Sequence, residues 1–451
     1  MQTLTIPNKF QSLIEADHIQ CYAEHERVGK SIVLTQDDVR SRLLPAITSG
    51  AAIHVAQRQR SITKRIGTDP LEATVEALYD SHFRKQRNFG PTREAIRDKV
   101  QQAIANKEPI TLVSLMFTRK NVCTLKRNGD DIAALDLAEI LSLVHLNSFA
   151  ELINSFYPYG VQYVILSEGT RFSRAFSLSD DRVRLYQARL TGWIKRLDLS
   201  HLKVIDYEQF LLDRLSIEDW ELRTTTYEQT LAEYKDLMEP IFNPMNMDET
   251  LTKAIARDPI VDVHNSRNNF VPLWDSIKNS LAYPAITTTA RRRGLEHATL
   301  YQDLFRTLFV PRADLEEEQL RMSILWGSWD AAIEHNARVL SDMRVGIDVA
   351  AMLSNNAFRA TINPKPGSPN LGIYSVRETT SRVQPWHGTA YLRADSQGRL
   401  LPTVLSKLEI EGRGGIPVCI DTRHDHPFFY VDSSASSLLS IEELVFNMST
   451  R

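Results

Sequence analysis

Three short runs between residues 109 and 207 decide the fold: Pro109–Phe117, PITLVSLMF; Val161–Leu166, VQYVIL; and Leu202–Tyr207, LKVIDY. The first two carry no charge at all. Their length and near-continuous apolarity predict strands buried on both faces. Helical spacing fills the gaps between them. Ala134–Phe156 places Leu141, Val144, Phe149, Leu152 and Phe156 on a helical stripe, and the Pro158/Gly160 break ends it. Ser179 and Asp180 can cap a following helix, whose stripe is Val183, Tyr186, Leu190, Trp193 and Leu197. Upstream, Thr92 can cap a helix in which Ile96, Val100 and Ile104 recur every four residues. This β-α-β-α-β alternation predicts an α/β fold: a doubly wound, Rossmann-like, mostly parallel sheet with helices on both faces. Such sheets bind ligands beyond the carboxyl ends of their strands. Here that edge is Thr118–Asn121, Ser167–Arg171 and Asp206–Glu208.

Working outward, residues 1–70 are polar and weakly periodic, which predicts an N-terminal accessory segment. The α/β domain is expected over 71–432, with a helical insertion at about 210–345, where acidic and basic residues interleave as in ADLEEEQLRMSILWGSWDAAIEHNARVL. Beyond it, FRATIN, LGIYSV, HGTAYL, GIPVCI and FFYV are short strand-like runs split by the turns PKPGSPN, ADSQGR and DTRHDHP. They predict extra C-terminal strands, some antiparallel, that finish or flank the sheet. Residues 433–451 are expected to be a C-terminal tail.

Across 451 residues the net charge is −3. That lacks the basic excess of a nucleic-acid or anionic-membrane binder. No apolar run approaches the ~18–20 residues that cross a bilayer, and no basic segment leads an apolar stretch at the N-terminus. Cys21, Cys123 and Cys419 are too few and too scattered for a disulfide framework or a cysteine-rich zinc site, and they predict a cytoplasmic protein.

The sequence contains no GxGxxG, GxxxxGK[ST], HExxH or GxSxG. His424-Asp425-His426 has no evident third ligand, so it reads as a surface turn rather than a metal site. Three segments remain. In Ser167-Glu168-Gly169-Thr170-Arg171-Phe172, Glu168 can accept a proton and Arg171 suits a carboxylate or phosphate. The same residues also fit a plain polar loop. Arg359, Asn363 and Lys365, in RATIN and the turn after it, can converge on an anion or simply line a solvated strand end. In Gln384-Pro385-Trp386-His387-Gly388-Thr389, Trp386 supplies an apolar wall and His387 exchanges a proton near neutral pH, although a histidine entering a strand often only packs.

Taken in order, these segments resemble the isocyanide (isonitrile) synthase family of pyoverdine and dityrosine biosynthesis, with gaps, from about Phe89 to Val431. FGPTREAIRDKVQQAIANKEPITLVSLMF resembles the family's opening helix and strand. The family's Lys-Ser-Pro-Asn loop corresponds to Thr118-Arg119-Lys120-Asn121, without the proline. DIAALDLAEILSLVHLNSF is similar to its Pro-Asp-x-x-Glu helix, again without the proline. LSEGTRF resembles Phe-Ser-Asp-Gly-Arg-x-Phe, with Glu168 for Asp and the Arg displaced by one. FRATINPKPG resembles Arg-x-Ser-Ile-His-Pro, with Asn363 for His, and PWHGTAYL resembles Pro-Trp-His-Gly-Val.

The resemblance implies an enzyme with no redox cofactor that converts an amino-acid amine to an isocyanide, with ribulose 5-phosphate as carbon donor. A downstream tailoring oxygenase would be its pathway partner. It implies a phosphate pocket among Arg119, Lys120, Arg171 and Lys365, acid/base catalysis by His387 and Glu168, and an amino-acid carboxylate on Arg359. Asn121, Ser167, Asn363 and Trp386 would complete the substrate-binding set. Departures at the strand ends leave two alternatives open. One is another amino-acid or sugar-phosphate transferase on the same scaffold; the other is a non-catalytic pathway partner.

Overall fold

The computed structural model describes residues 32–85, 90–117, 135–173, 179–262, 267–268, 270–294, 303–304, 307–362, 369–376, 384–386, 388–394, 400–405, 410, 413–420 and 423–432. The first part of the chain runs Ile32–Leu34 (β1), Leu44–Ile66 (α1), Pro70–Leu78 (α2), Arg93–Asn106 (α3), Ile110–Leu115 (β2), Leu137–Asn154 (α4), Val161–Ser167 (β3), Gly169–Phe172 (α5), Asp180–Arg196 (α6), Leu202–Asp206 (β4) and Tyr207–Leu212 (α7). The insertion follows as Ile217–Met238 (α8), Met247–Arg257 (α9), Val261–Asp262 (β5), Arg267–Asn268 (β6), Phe270–Arg292 (α10) and Leu315–Arg344 (α11). The last part is Val349–Leu353 (α12), Ala357–Thr361 (β7), Leu371–Gly372 (β8), Thr389–Ala394 (β9), Leu400–Leu405 (β10), Ile416–Ile420 (β11) and Arg423–Val431 (β12).

β2, β3 and β4 form where the three short runs predict strands, and they lie side by side. The main sheet has the order β4-β3-β2-β7-β8 and every pair is parallel. Side chains alternate between two cores. Ile110, Leu112, Tyr163, Ile165 and Phe358 join Ile96 and Val100 of α3, much of α4, and Tyr186 and Leu190 of α6. Val113, Val164, Leu166 and Ala357 instead meet Tyr207, Phe210 and Leu211 of α7 and Val349 and Ala350 of α12. Burial on both faces is why these strands read as continuous apolar runs rather than alternating ones. The predicted caps form: Thr92 accepts from the Ala95 N–H, and Ser179 from the Arg182 N–H. Ile96 and Val100 are fully buried, each worth roughly 1.5–3 kcal/mol relative to exposure.

Chain order fixes where a ligand crevice belongs. The chain enters the sheet at β2, moves outward through β3 and β4, and returns on the other side as β7 and β8. The reversal of strand order therefore falls between β2 and β7, and its carboxyl edge is the crevice such sheets use.

The C-terminal strands divide. FRATIN and LGIYSV supply β7 and β8 of the main sheet, whereas β9–β12 build a second, mixed sheet in the order β1-β11-β12-β9-β10. Its apolar side, including Ala390, Leu392, Val418 and Phe429, packs into the core that holds α4. The segment DTRHDHP is mostly not a turn. Arg423–Val431 continues as one strand, paired irregularly with β11, so the His424/His426 backbone is extended. The polar N-terminal stretch also holds more order than its composition predicts. β1 adds a parallel edge to β11, and Leu44, Ile47, Val55 and Ile62 of α1 enter the main core.

Helices α8–α11 enclose a core of their own around Tyr234, Met238, Phe270, Trp274 and Trp329. The Trp329 ring lies edge-on to Phe270 at 4.7 Å, and its indole N–H donates to the Met238 carbonyl at 3.2 Å. Among the described residues no helix is long and apolar enough to cross a membrane.

Candidate active site

The carboxyl edge is organised around Phe117, two residues beyond the end of β2. Its φ is +51°, a left-handed conformation that costs an aromatic residue on the order of 1–3 kcal/mol. The surroundings hold it there. Its carbonyl accepts from Ser167 Oγ at 2.9 Å, and its buried ring lies 4.8 Å from that of Trp386. Trp386 is in turn fixed by its own turn, where the Gly388 N–H donates to the Gln384 carbonyl at 2.8 Å. Ser375 Oγ donates to Gln384 Oε1 at 3.1 Å, and Ser142 Oγ of α4 donates to the Ser375 carbonyl at 2.6 Å. Trp386 and Ser167 thus meet at Phe117, at the same edge of the sheet, from distant parts of the chain.

Ser167 is fully buried and occupied by the protein: besides its bond to Phe117 it accepts from Gln187 Nε2 at 2.9 Å. Gln187 also donates to Asp206 Oδ2, as does Thr170 Oγ1, both at 2.7 Å. This hydrogen-bond chain ties the ends of β3 and β4 to α6. Ser167 positions its neighbours rather than offering a free hydroxyl.

The next residue opens a buried charged cluster. Arg171 donates from Nη1 to Glu168 Oε1 at 2.8 Å. From Nη2 it donates to Asp342 Oδ2 and, at 3.1 Å, to the Arg338 carbonyl. Its guanidinium lies 4.6 Å from the Tyr207 ring centroid and 4.9 Å from that of Phe172. Asp342 also accepts from Arg223 Nε at 2.8 Å and from the Tyr207 hydroxyl at 3.0 Å. Arg223 binds both oxygens of Glu208 at 2.7 Å. Burial pushes the Glu168 carboxyl above the usual glutamate range, with Arg171 and Arg359 pulling the other way. Arg171 and Arg223 stay charged because the carboxylates around them outweigh the cost of their burial.

The phosphate contact expected of Arg171 does not fit this arrangement. Arg171 is buried, with both terminal nitrogens engaged inside the protein, so it connects Glu168 to the helical insertion. Arg359 remains available. It sits on β7 opposite Val113, its side chain is exposed, and its charge reaches Glu168 across β2. Arg119, Lys120, Asn121, Asn363, Lys365 and His387 lie outside the described residues.

Several residues that shape this edge carry no signal in the sequence. Asp342 and Arg223 come from the insertion, where each is one charge among many. Lys85 lies in a polar stretch before α3. Its backbone N–H pairs with the Gly372 carbonyl, and its Nζ donates to the Ile362 carbonyl at 3.1 Å, just past the end of β7. Partial burial lowers its pKa from the ordinary lysine value. Nothing in the spacing of FRKQ distinguishes it from a surface lysine.

Residues 100–271 match the family model described as pyoverdine/dityrosine biosynthesis protein. The chain is 26% identical over 172 residues to the L-tryptophan isonitrile synthase of Fischerella ambigua, covering 38% of this chain and 51% of that protein. It is 24% identical over 138 residues to the L-tyrosine isonitrile synthase of Xenorhabdus nematophila, covering 30% and 41%. With the L-tyrosine isonitrile synthase of Pseudomonas aeruginosa the identity is 23% over 292 residues, covering 64% and 71%. The chain thus spans about half or less of the length of the first two of these relatives. The crystal structure of the PvcA protein from Pseudomonas aeruginosa aligns at a TM-score of 0.46 and 17% identity, over 80% of this chain and 99% of that one.

Proposed function

We propose, from the match of residues 100–271 to the pyoverdine/dityrosine biosynthesis family model, that the chain is an isocyanide synthase, converting an amino-acid amine to an isocyanide with ribulose 5-phosphate as carbon donor. The observation that carries this reading is the pairing of Glu168, a largely buried carboxyl that desolvation holds above the usual glutamate range, with Arg359, an exposed cation on β7 within its electrostatic reach. Condensing an amine with a ketone to an imine, then fragmenting the adduct with loss of phosphate, needs repeated proton transfer at one place. A carboxyl whose pKa is raised by burial suits that task. Glu168 is the acid/base, paired in this reading with His387. Arg359 holds the amino-acid carboxylate, and Trp386 walls the apolar side chain. The phosphate falls to Arg119, Lys120 and Lys365, joined by Lys85 at the end of β7. Arg171 holds Glu168 in place. The sparse cysteines fit a reducing, cytoplasmic setting for this chemistry.

Incubation of the protein with ribulose 5-phosphate and the twenty amino acids, followed by mass spectrometry, tests the assignment. One amino acid should be consumed together with the sugar phosphate, and its isocyanide should appear. Consumption of both without an isocyanide would favour a different transferase, a reading that the replacement of the family's histidine by Asn363 supports. No consumption with any amino acid would leave the non-catalytic alternative.

A further inference from the structure

The charged cluster is unbalanced. Three carboxylates, Glu168, Glu208 and Asp342, share two guanidiniums, Arg171 and Arg223. With every group ionised this hydrogen-bonded set carries one negative charge in excess, which among the described residues only Arg359, acting through space from β7, offsets, in a largely buried site. The donors are also unevenly divided. Asp342 accepts from Arg171, Arg223 and Tyr207, and Glu208 accepts from both terminal nitrogens of Arg223. Glu168 accepts, among the described residues, from Arg171 Nη1 alone. A proton taken up by the cluster therefore displaces the fewest hydrogen bonds at Glu168.

We propose that Asp342, carried by the helical insertion, is a positioning residue that sets when Glu168 takes up its proton, acting through the Arg171 that both carboxylates share. The proposal rests on the acid/base role of Glu168, but the coupling itself exists whether or not the protein turns over the substrates named above. The groups facing Glu168 come from four elements: Arg171 on α5, Tyr207 on α7, Asp342 on α11 and Arg359 on β7. Of these, Asp342 is the one carboxylate that both opposes ionisation of Glu168 and draws away part of its guanidinium partner. Removing its charge frees Arg171 for Glu168 and removes the repulsion, so both effects favour the ionised form.

The test is a carboxyl titration of the full chain. With glutamate side-chain carboxyls labelled in carbon-13, the Glu168 signal is identified by its loss in Glu168→Gln and followed against pH by NMR. Asp342→Asn should move its midpoint to lower pH by about one to two units, the size of shift a close charge produces. Asp342→Glu, which keeps the charge, should leave the midpoint near that of the unmodified protein. Should Asp342→Asn not fold, Asp342→Ser removes the same charge and is read the same way. A folded, charge-removing variant whose Glu168 midpoint does not move overturns the proposal, because a merely structural Asp342 predicts that result. In variants that do form isocyanide, the limb of the pH–rate profile due to Glu168 should shift downward together with the NMR midpoint. Absence of isocyanide in the unmodified protein counts against the synthase reading and leaves the outcome of the titration intact.

Discussion

Glu168 is surrounded by charges whose sum determines its own. Burial and Asp342 oppose its ionisation, while Arg171 and Arg359 favour it, and burial prevails. A carboxyl with a raised folded-state pKa has a definite effect on stability. An unfolded glutamate titrates near ~4.3, so above that value the folded protein binds more protons than the unfolded chain, and stability falls as pH rises through the folded-state pKa. Thermal melts across that window should show a slope that Glu168→Gln abolishes. The same substitution should lower kcat by ~10²–10⁴-fold, the usual contribution of an acid/base group. Arg359→Ala should act differently, raising KM for the amino acid with a smaller effect on kcat, because a carboxylate clamp serves ground and transition states alike. Glu168 is legible from its place after a predicted strand, and Arg359 from its place within the strand-like run FRATIN. Asp342, Arg223 and Lys85 are not, since helical periodicity says which face a charge occupies but not what that face packs against. The buried state of Arg171 is hidden for the same reason.

At the level of elements, the long helix α11 serves two ends of the structure. Its Trp329 is fully buried in the core of the insertion, and about four turns of chain on, Asp342 is held by Arg171 and Tyr207 at the main sheet. Trp329→Ala should cost about 3–5 kcal/mol of stability, as large-to-small changes in aromatic cores do, and denaturant unfolding with an unchanged slope would measure it. The central strands and their flanking helices can be read from sequence because each is specified by its own local pattern: uncharged runs, then stripes behind Thr92 and Ser179 caps. The second sheet cannot be read in the same way. β1 pairs with β11 from the opposite end of the chain, and three residues of strand carry no pattern of their own. α1 is masked by composition, because Arg58, Arg60, Lys64 and Arg65 dilute its apolar positions.

For the whole molecule, the topology explains why residues so distant in sequence share an edge. The strand order reverses between β2 and β7, Phe117 and Trp386 pack together at that carboxyl edge, and the insertion is anchored beside it by the largely buried pairs Arg171–Asp342 and Arg223–Glu208. Breaking one such pair from a single side typically costs about 3–5 kcal/mol, since it strands a buried charge. Arg223→Ala should therefore destabilise the protein strongly while leaving the local helical pattern of α8 intact, an outcome that circular dichroism and denaturant titration together would reveal. Carbon transfer from a sugar phosphate to an amino-acid nitrogen, as proposed for this chain, must leave that carbon in the product. Incubation with ribulose 5-phosphate uniformly labelled in carbon-13, together with the amino acid that supports consumption, follows it. The expected product is an isocyanide carrying a single labelled carbon, bonded to the amino-acid nitrogen, and it should be lost in Glu168→Gln. An unlabelled isocyanide, or a labelled product formed equally well without the Glu168 carboxyl, would contradict carbon transfer at this site.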